Sequence, residues 1–361
     1  MKKMRTHFSL DNLKTLLILL CGMTIASYAE PHCKPTLVTF GPPNSTSSIA
    51  SAINREGQIV GSYWLTVASS ENRGFLRQTD GTFVEYAVAG SEVMTSNGIN
   101  SAEEIVGSYC ETTYDGPCYG FVRQADGTLT TIDGPDASLT SASAVNRSGE
   151  IVGYYLTPHP GFHGFLQRRD GTFTTIDVPH STSTIATAIN RAGHIVGQYN
   201  DATGNQHGFL RWADGTFTSF DVPSGTLTTP YAINQRGEVV GFYLDSNGNQ
   251  RGFLRHADGI FTAIDVPGSF LTIAFDINTA GQIVGWYEPL PPPSKYTSGF
   301  LREPDGQFIR LDKDSSTATR PVAINPEGKI VGARDDVTGT HAFLLTYGKC
   351  DHGTKADNDE H

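Results

Sequence analysis

Tyr63, Tyr109, Tyr155, Tyr199, Tyr243 and Tyr287 recur at intervals of 44 to 46 residues along the chain. Seven to eleven residues after them stand Arg73, Tyr119, His163, His207, Arg251 and Ser298, and Arg334 with His341 makes a seventh pair. Aromatic faces stack on sugar rings, and Arg or His side chains direct hydrogen bonds onto carboxylates or sulfates. Two columns of this kind side by side would form an aromatic and cationic belt. The alternative for the tyrosines is a packing role, with each ring filling space and its hydroxyl at the rim. Asp133, Asp177, Asp221, Asp265 and Asp312 recur at a further position, as strand-end acids or as a ring for a cation.

Other candidates break the repetition. The segment Pro158-His159-Pro160-Gly161-Phe162-His163 places two histidines on a rigid loop, and together with His207 they are the candidates for general acid-base catalysis or a metal ligand. Asp276 stands where the other copies have Ala or Gly, and Arg320 where they have Ile, Thr or Ser. A charge at either place has to be solvated or paired. Pro289-Leu290-Pro291-Pro292-Pro293 is a stiff projection with Lys295 and Tyr296 behind it. His-Glu-x-x-His, Gly-x-Ser-x-Gly, Walker and Rossmann glycine motifs are all absent. Asp245-Ser246-Asn247-Gly248-Asn249 lacks the downstream Glu of a calcium loop and reads as a hairpin turn. No cofactor or metal is therefore assigned, with a structural or catalytic divalent cation left open.

The elements that must carry these residues follow from one repeating unit. It reads Ala-Ile-Asn-x-x-Gly-x-Ile-Val-Gly-x-Tyr, a variable stretch, then Gly-Phe-Leu-Arg-x-x-Asp-Gly-x-Phe-x-x-Ile-Asp-Val-Pro. Its anchors are Asn54, Asn100, Asn146, Asn190, Asn234, Asn278 and Asn325. Each copy holds four short apolar runs bounded by turn residues, which predicts four antiparallel strands per copy and, with a period in the mid-forties, an all-β propeller of seven blades. Leu37 to Pro42 reads as a surplus fourth strand at the start, while the last copy stops after its third, at His341-Ala342-Phe343-Leu344. The N-terminal strand is expected to complete the seventh blade and remove the exposed edges. The anchoring asparagines read as turn formers bonding nearby backbone, and Gly61, Gly107, Gly153, Gly197, Gly241, Gly285 and Gly332 as points where neighbouring blades approach. Turns after the first and third strands are short and uniform. Loops after the second and fourth vary, and that face is where a ligand would be read.

The unit resembles the bacterial extracellular HAF-repeat family, whose His-Ala-Phe signature appears here as His341-Ala342-Phe343. The likeness spans nearly all of the chain beyond the leader and implies an exported repeat protein. It brings no catalytic residues with it.

Composition agrees with export. Residues 1–29 read as a signal peptide, with Lys2, Lys3, Arg5 and Lys14 before an apolar stretch and Ser27-Tyr28-Ala29 at the cleavage site. Residues 30–350 then form the propeller and 351–361 a polar tail. Cleavage shifts the formal charge from −11 to −14, which disfavours nucleic acid and anionic membranes as partners. Four cysteines remain, with three possible connectivities. Cys33 with Cys350 would lock the ring, and Cys110 with Cys118 would close one loop, free thiols or a metal being the rival. The expectation is a secreted, monomeric propeller, extracellular or periplasmic, binding a glycan or other extracellular polymer on its variable-loop face through Arg73, His163, His207, Arg251, His341, Arg320, Asp276, Tyr155, Tyr199, Tyr243 and Tyr287. A polysaccharide lyase or hydrolase using His159, His163 or His207, and a scaffold for other proteins, are the alternatives.

Overall fold

The structure is a computed structural model, and it describes residues 35–66, 71–112, 116–158, 161–290, 297–312 and 318–347. Residues 1–29, read above as a signal peptide, together with Cys33, His159, Lys295, Tyr296, Cys350 and residues 351–361, lie outside the described residues. Among the described residues every regular element is a strand, and no helix is long and apolar enough to cross a membrane.

Each repeat folds as an antiparallel four-stranded meander. The first repeat, for example, pairs Ser47–Ile53, Ile59–Trp64, Asn72–Arg77 and Phe83–Tyr86 in chain order. Five such sheets stand alone, and the second and third repeats are joined into one eight-stranded sheet through a single parallel pair, Leu139 with Cys118. In the last repeat the fourth strand comes from the other end of the chain. Pro35–Phe40 runs antiparallel to Gly339–Tyr347, from Pro35 opposite Tyr347 to Phe40 opposite Ala342, as the surplus strand in the sequence predicts.

The core lies between successive sheets rather than within any of them. Val60, Leu76 and Tyr86 of the first repeat pack on Met94, Ile105, Tyr109 and Phe121 of the second, and the pattern continues around the molecule. The cluster of Ala50, Ile59, Tyr63 and Phe75 with Ala323, Val331 and Ala342 brings the seventh repeat back against the first. The third strand supplies the same anchor each time: Phe75, Phe121, Phe165, Phe209, Phe253, Phe300 and Phe343 are all buried, each contributing about 2 to 3 kcal/mol of apolar burial.

The seven asparagines do more than form turns. Oδ1 of Asn190 accepts the backbone N–H groups of Ala192 and His194, both at 3.0 Å, which shapes the turn as expected. Nδ2 reaches into the next repeat and donates to the backbone carbonyl of the next asparagine. The bonds run Asn54 to Asn100, Asn100 to Asn146, Asn146 to Asn190, Asn190 to Asn234, Asn234 to Asn278 and Asn278 to Asn325, and Asn325 returns to Asn54, all at 3.0 to 3.3 Å. Seven buried amides thus form a closed circuit.

The glycine column has a different cause from the one the sequence suggests. Each innermost strand carries a β-bulge, as between Ala142 and Ala144 opposite Gly153 and Val152. A Cβ on Gly153 would sit 2.0 Å from the Ser141 carbonyl oxygen and 2.8 Å from the Phe165 ring, and both of those residues belong to the same sheet. The glycines accommodate the bulge, not a neighbouring sheet.

Candidate functional site

The bulge decides which side chains can meet a ligand. The inner strands are Ser47–Ile53, Val93–Ile99, Leu139–Val145, Ser183–Ile189, Leu227–Ile233, Ser269–Ile277 and Thr319–Ile324, and each contacts the next, with the last contacting the first. Their bulged residues are Ser51, Asn97, Ser143, Thr187, Tyr231, Phe275 and Val322, each skipped in the pairing register. An unpaired bulge residue is re-aimed relative to its neighbours. All seven line one cavity of about 600 Å³ where the inner strands converge.

The polar groups of the lining come mainly from the first four repeats, which also contribute Ile49, Tyr154 and Ile185, and the ring cluster comes from the fifth and sixth. Ser51, Asn97, Ser141, Ser143 and Thr187 bring hydroxyl and amide groups from the first four repeats. Tyr231, Phe275 and Trp286 bring aromatic rings from the fifth and sixth. The Tyr231 and Phe275 rings are stacked at 5.0 Å with 5° between their planes, Phe275 lies 6.2 Å from Trp286, and Phe242 backs Tyr231 at 5.7 Å. Burial pushes the Tyr231 hydroxyl pKa up, so it remains a neutral donor and acceptor. A mostly apolar cavity of this size with a few convergent polar groups has the form of a small-ligand site.

The two charges expected on the inner strands separate. Arg320 lines the cavity and is paired, its Nη2 2.7 Å from Asp335, which also accepts from Thr340. Asp276 instead turns toward backbone. It accepts the N–H of Ile324 on the next inner strand at 2.9 Å and that of Ile277 at 2.8 Å. Burial pushes its pKa up to about 6 against the pull of those two donors.

The belt residues pair across their hairpins as the spacing predicts: Tyr63 with Arg73, Tyr155 with His163, Tyr199 with His207, Tyr243 with Arg251 and Tyr287 with Ser298. The rings are mostly occupied in packing. Tyr63, Tyr109, Tyr155 and Tyr287 are buried, while Tyr199 and Tyr243 are partly so. Tyr155 and Tyr199 hydroxyls meet Thr175 and Ser219 on the fourth strand, and burial with the nearby Glu85 carboxylate pushes the Tyr63 hydroxyl pKa up to about 12.

The cations of the belt meet the strand-end acids. His163 lies 2.7 Å from Asp177, Arg251 3.0 Å from Asp265 and 3.3 Å from Asp245, and Ser298 bonds Asp312. His341 lies 3.5 Å from Asp336. His207 is held at both ring nitrogens, by Asp221 at 2.8 Å and Asp201 at 3.3 Å. Burial disfavours its charge, yet the two carboxylates prevail and raise its pKa. His163 and His207 stand in separate hairpins, each with its own acid, and no group of three metal-ligating side chains occurs among the described residues. Cys110 and Cys118 form a disulfide across the second-repeat hairpin.

Tyr154, Tyr231, Phe242, Phe275 and Trp286 escaped the sequence reading. For Tyr231 and Phe275 the signal was available: their column of the first strand, Ser51 to Val322, differs in nearly every copy, as does the second-strand column that holds Tyr154, Phe242 and Trp286. A strand read with strict alternation, however, does not reveal a bulge that turns the first-strand column to the axis.

No protein-family model and no curated protein sequence matches the chain. Solved structures do. One is a prolyl endopeptidase, at 11% identity and TM-score 0.56, matched over 87% of this chain and 47% of that one. The BP39L lectin from Burkholderia pseudomallei matches at 8% identity and TM-score 0.53, over 84% of this chain and 96% of the lectin. The acylaminoacyl peptidase of Pyrococcus horikoshii matches at 10% and 0.52, over 83% and 51%. The chain spans about half the length of the two peptidases it resembles. At these identities the likeness concerns the fold alone, an all-β, propeller-like arrangement of antiparallel four-stranded sheets.

Proposed function

We propose that the chain is an exported, monomeric seven-bladed propeller of the HAF-repeat kind that binds a glycan or other extracellular polymer at its axis. The closed asparagine circuit and the N-terminal strand in the last sheet support the reading of seven blades in a ring. The Cys110–Cys118 disulfide supports an oxidising compartment. A lectin of nearly the same extent shares the fold, which agrees with a glycan ligand without arguing for one.

One observation carries the functional reading: the axial cavity combines the ring cluster of Tyr231, Phe275 and Trp286 with the serines, threonine and asparagine of the first four repeats. A sugar unit has an apolar ring face and a rim of hydroxyls, and the cavity presents the complement of each. The site therefore moves inward from the belt, where His163, His207, Arg251 and His341 are already paired with acids and Arg73 is exposed.

The test is a panel of neutral and acidic oligosaccharides, with binding measured by calorimetry and products by mass spectrometry. Binding without new reducing or unsaturated ends is expected, and Trp286→Ala should weaken it at least tenfold, the scale of one well-packed aromatic contact. Arg73→Ala and His163→Ala should leave it within about twofold, since exposed or internally paired charges contribute little. Turnover lost with His163→Ala would favour the lyase or hydrolase. Absence of any binding to the panel would overturn the glycan reading.

A further inference from the structure

The opposite end of the axis carries a second, chemically different cavity. It holds about 280 Å³ and is lined by the residue following each asparagine of the circuit: Arg55, Ser101, Arg147, Arg191, Gln235, Thr279 and Pro326. No carboxylate occupies any of the seven places, although acids outnumber bases 37 to 26 in the whole chain. Arg55 has one acid within reach, Glu327 at 3.8 Å. Arg147 and Arg191 form no ion pair among the described residues and are exposed.

The backbone at this ring is also short of acceptors. The N–H of Arg191 donates to the side-chain oxygen Oε1 of Gln235, the equivalent residue of the next repeat, at 3.0 Å. The N–H groups of Arg55, Ser101, Arg147, Gln235 and Thr279 have no acceptor among the described residues, and Pro326 has no N–H to offer. In one copy, then, an amide oxygen sits where the other copies leave a donor open. Backbone N–H groups without a protein acceptor can be met by an anion, and guanidinium groups add directed, charge-assisted hydrogen bonds.

We propose that this mouth binds a small multivalent oxyanion, a ligand bearing carboxylate or sulfate groups, through Arg147, Arg191, Arg55 and the open backbone N–H groups of the ring. The proposal is independent of the axial aromatic site, which shares none of these residues. The uniform turns that looked purely structural would then carry a site, with specificity set by the one variable residue in each.

Calorimetric titration at low ionic strength with citrate, its neutral trimethyl ester and inorganic sulfate tests it. Citrate is expected to bind with one site per chain, the ester not at all, and rising salt to weaken citrate. Arg147→Gln and Arg191→Gln, both at exposed positions, should each weaken citrate roughly tenfold, the scale of a charge-assisted hydrogen bond. Gln235→Glu keeps the acceptor for the Arg191 N–H while adding a negative charge to the mouth, and should abolish binding with an unchanged melting temperature. Trp286→Ala should leave citrate unaffected. Sulfate binding that is likewise weakened in the Arg147→Gln protein would support the proposal. Equal binding of citrate and ester, no citrate binding by the wild-type protein, or undiminished binding by the Arg147→Gln and Arg191→Gln proteins would overturn the proposal.

Discussion

Replacing Asn190 separates the two tasks of the asparagine circuit. Its side chain is 2% exposed and makes three hydrogen bonds, two accepted within its own turn and one donated across to Asn234. At a net contribution near 1 kcal/mol for each bond, Asn190→Ala should cost about 3 kcal/mol, or roughly 4 to 5 °C in melting temperature for a body of this size. Asn190→Asp keeps the two turn bonds and replaces only the donor, placing a carboxylate oxygen near the Asn234 carbonyl, which lies 3.1 Å from Nδ2 in the wild type. At pH 7 the repulsion should make this change at least as costly as alanine. The new carboxyl should have a folded pKa above its unfolded value of about 3.9, because only its protonated form can donate to the carbonyl. The penalty should therefore shrink as pH falls through that raised pKa, and at pH 4 Asn190→Asp should be the more stable of the two variants. Urea unfolding at pH 7 and pH 4 measures both. An aspartate variant as stable as wild type at pH 7, or a penalty independent of pH, would refute an inter-sheet role for the amide.

Three further outcomes follow from the packing. Gly153→Ala should cost more than about 3 kcal/mol in a thermal melt or prevent folding, since its Cβ would meet a backbone carbonyl at 2.0 Å that cannot move without breaking the bulge. Asp276, with its pKa raised from 3.8 to about 6, stabilises the fold fully below about pH 4 and loses roughly 3 kcal/mol of that contribution as pH rises through 6; Asp276→Asn should flatten this slope in unfolding measurements across pH 4 to 8. Cys118→Ser opens a loop with a sequence separation of 8 and should cost about 2.5 kcal/mol in denaturant unfolding.

The repeat made most of the architecture legible in advance, because Asn54 to Asn325 and the turn glycines punctuate every strand. Pairing between columns was harder to read. His163 and Asp177, His207 and Asp221, Arg251 and Asp265, and Ser298 and Asp312 are each 14 residues apart, and the hairpin register brings all four pairs into contact. A sequence shows the two columns but not that they neutralise one another, which is why the belt looked more available than it is. The axial site stayed hidden for a geometric reason. Strand alternation assigns one face to odd positions and the other to even ones, and a bulge in every inner strand resets that parity at Ser51, Asn97, Ser143, Thr187, Tyr231, Phe275 and Val322. Asp276 lies just beyond the bulge, so a residue expected to face the axis is spent on backbone N–H groups instead.

The chain has three tryptophans, Trp64, Trp212 and Trp286, and of these Trp286 alone lines the axial cavity. Fluorescence of the Trp64→Phe, Trp212→Phe double variant during titration with an oligosaccharide that binds the wild-type protein therefore reports on the proposed site directly. A saturable change in Trp286 emission, with the same affinity as calorimetry gives, is the predicted result. Full calorimetric binding with no change in Trp286 emission would place the ligand elsewhere and contradict the axial site.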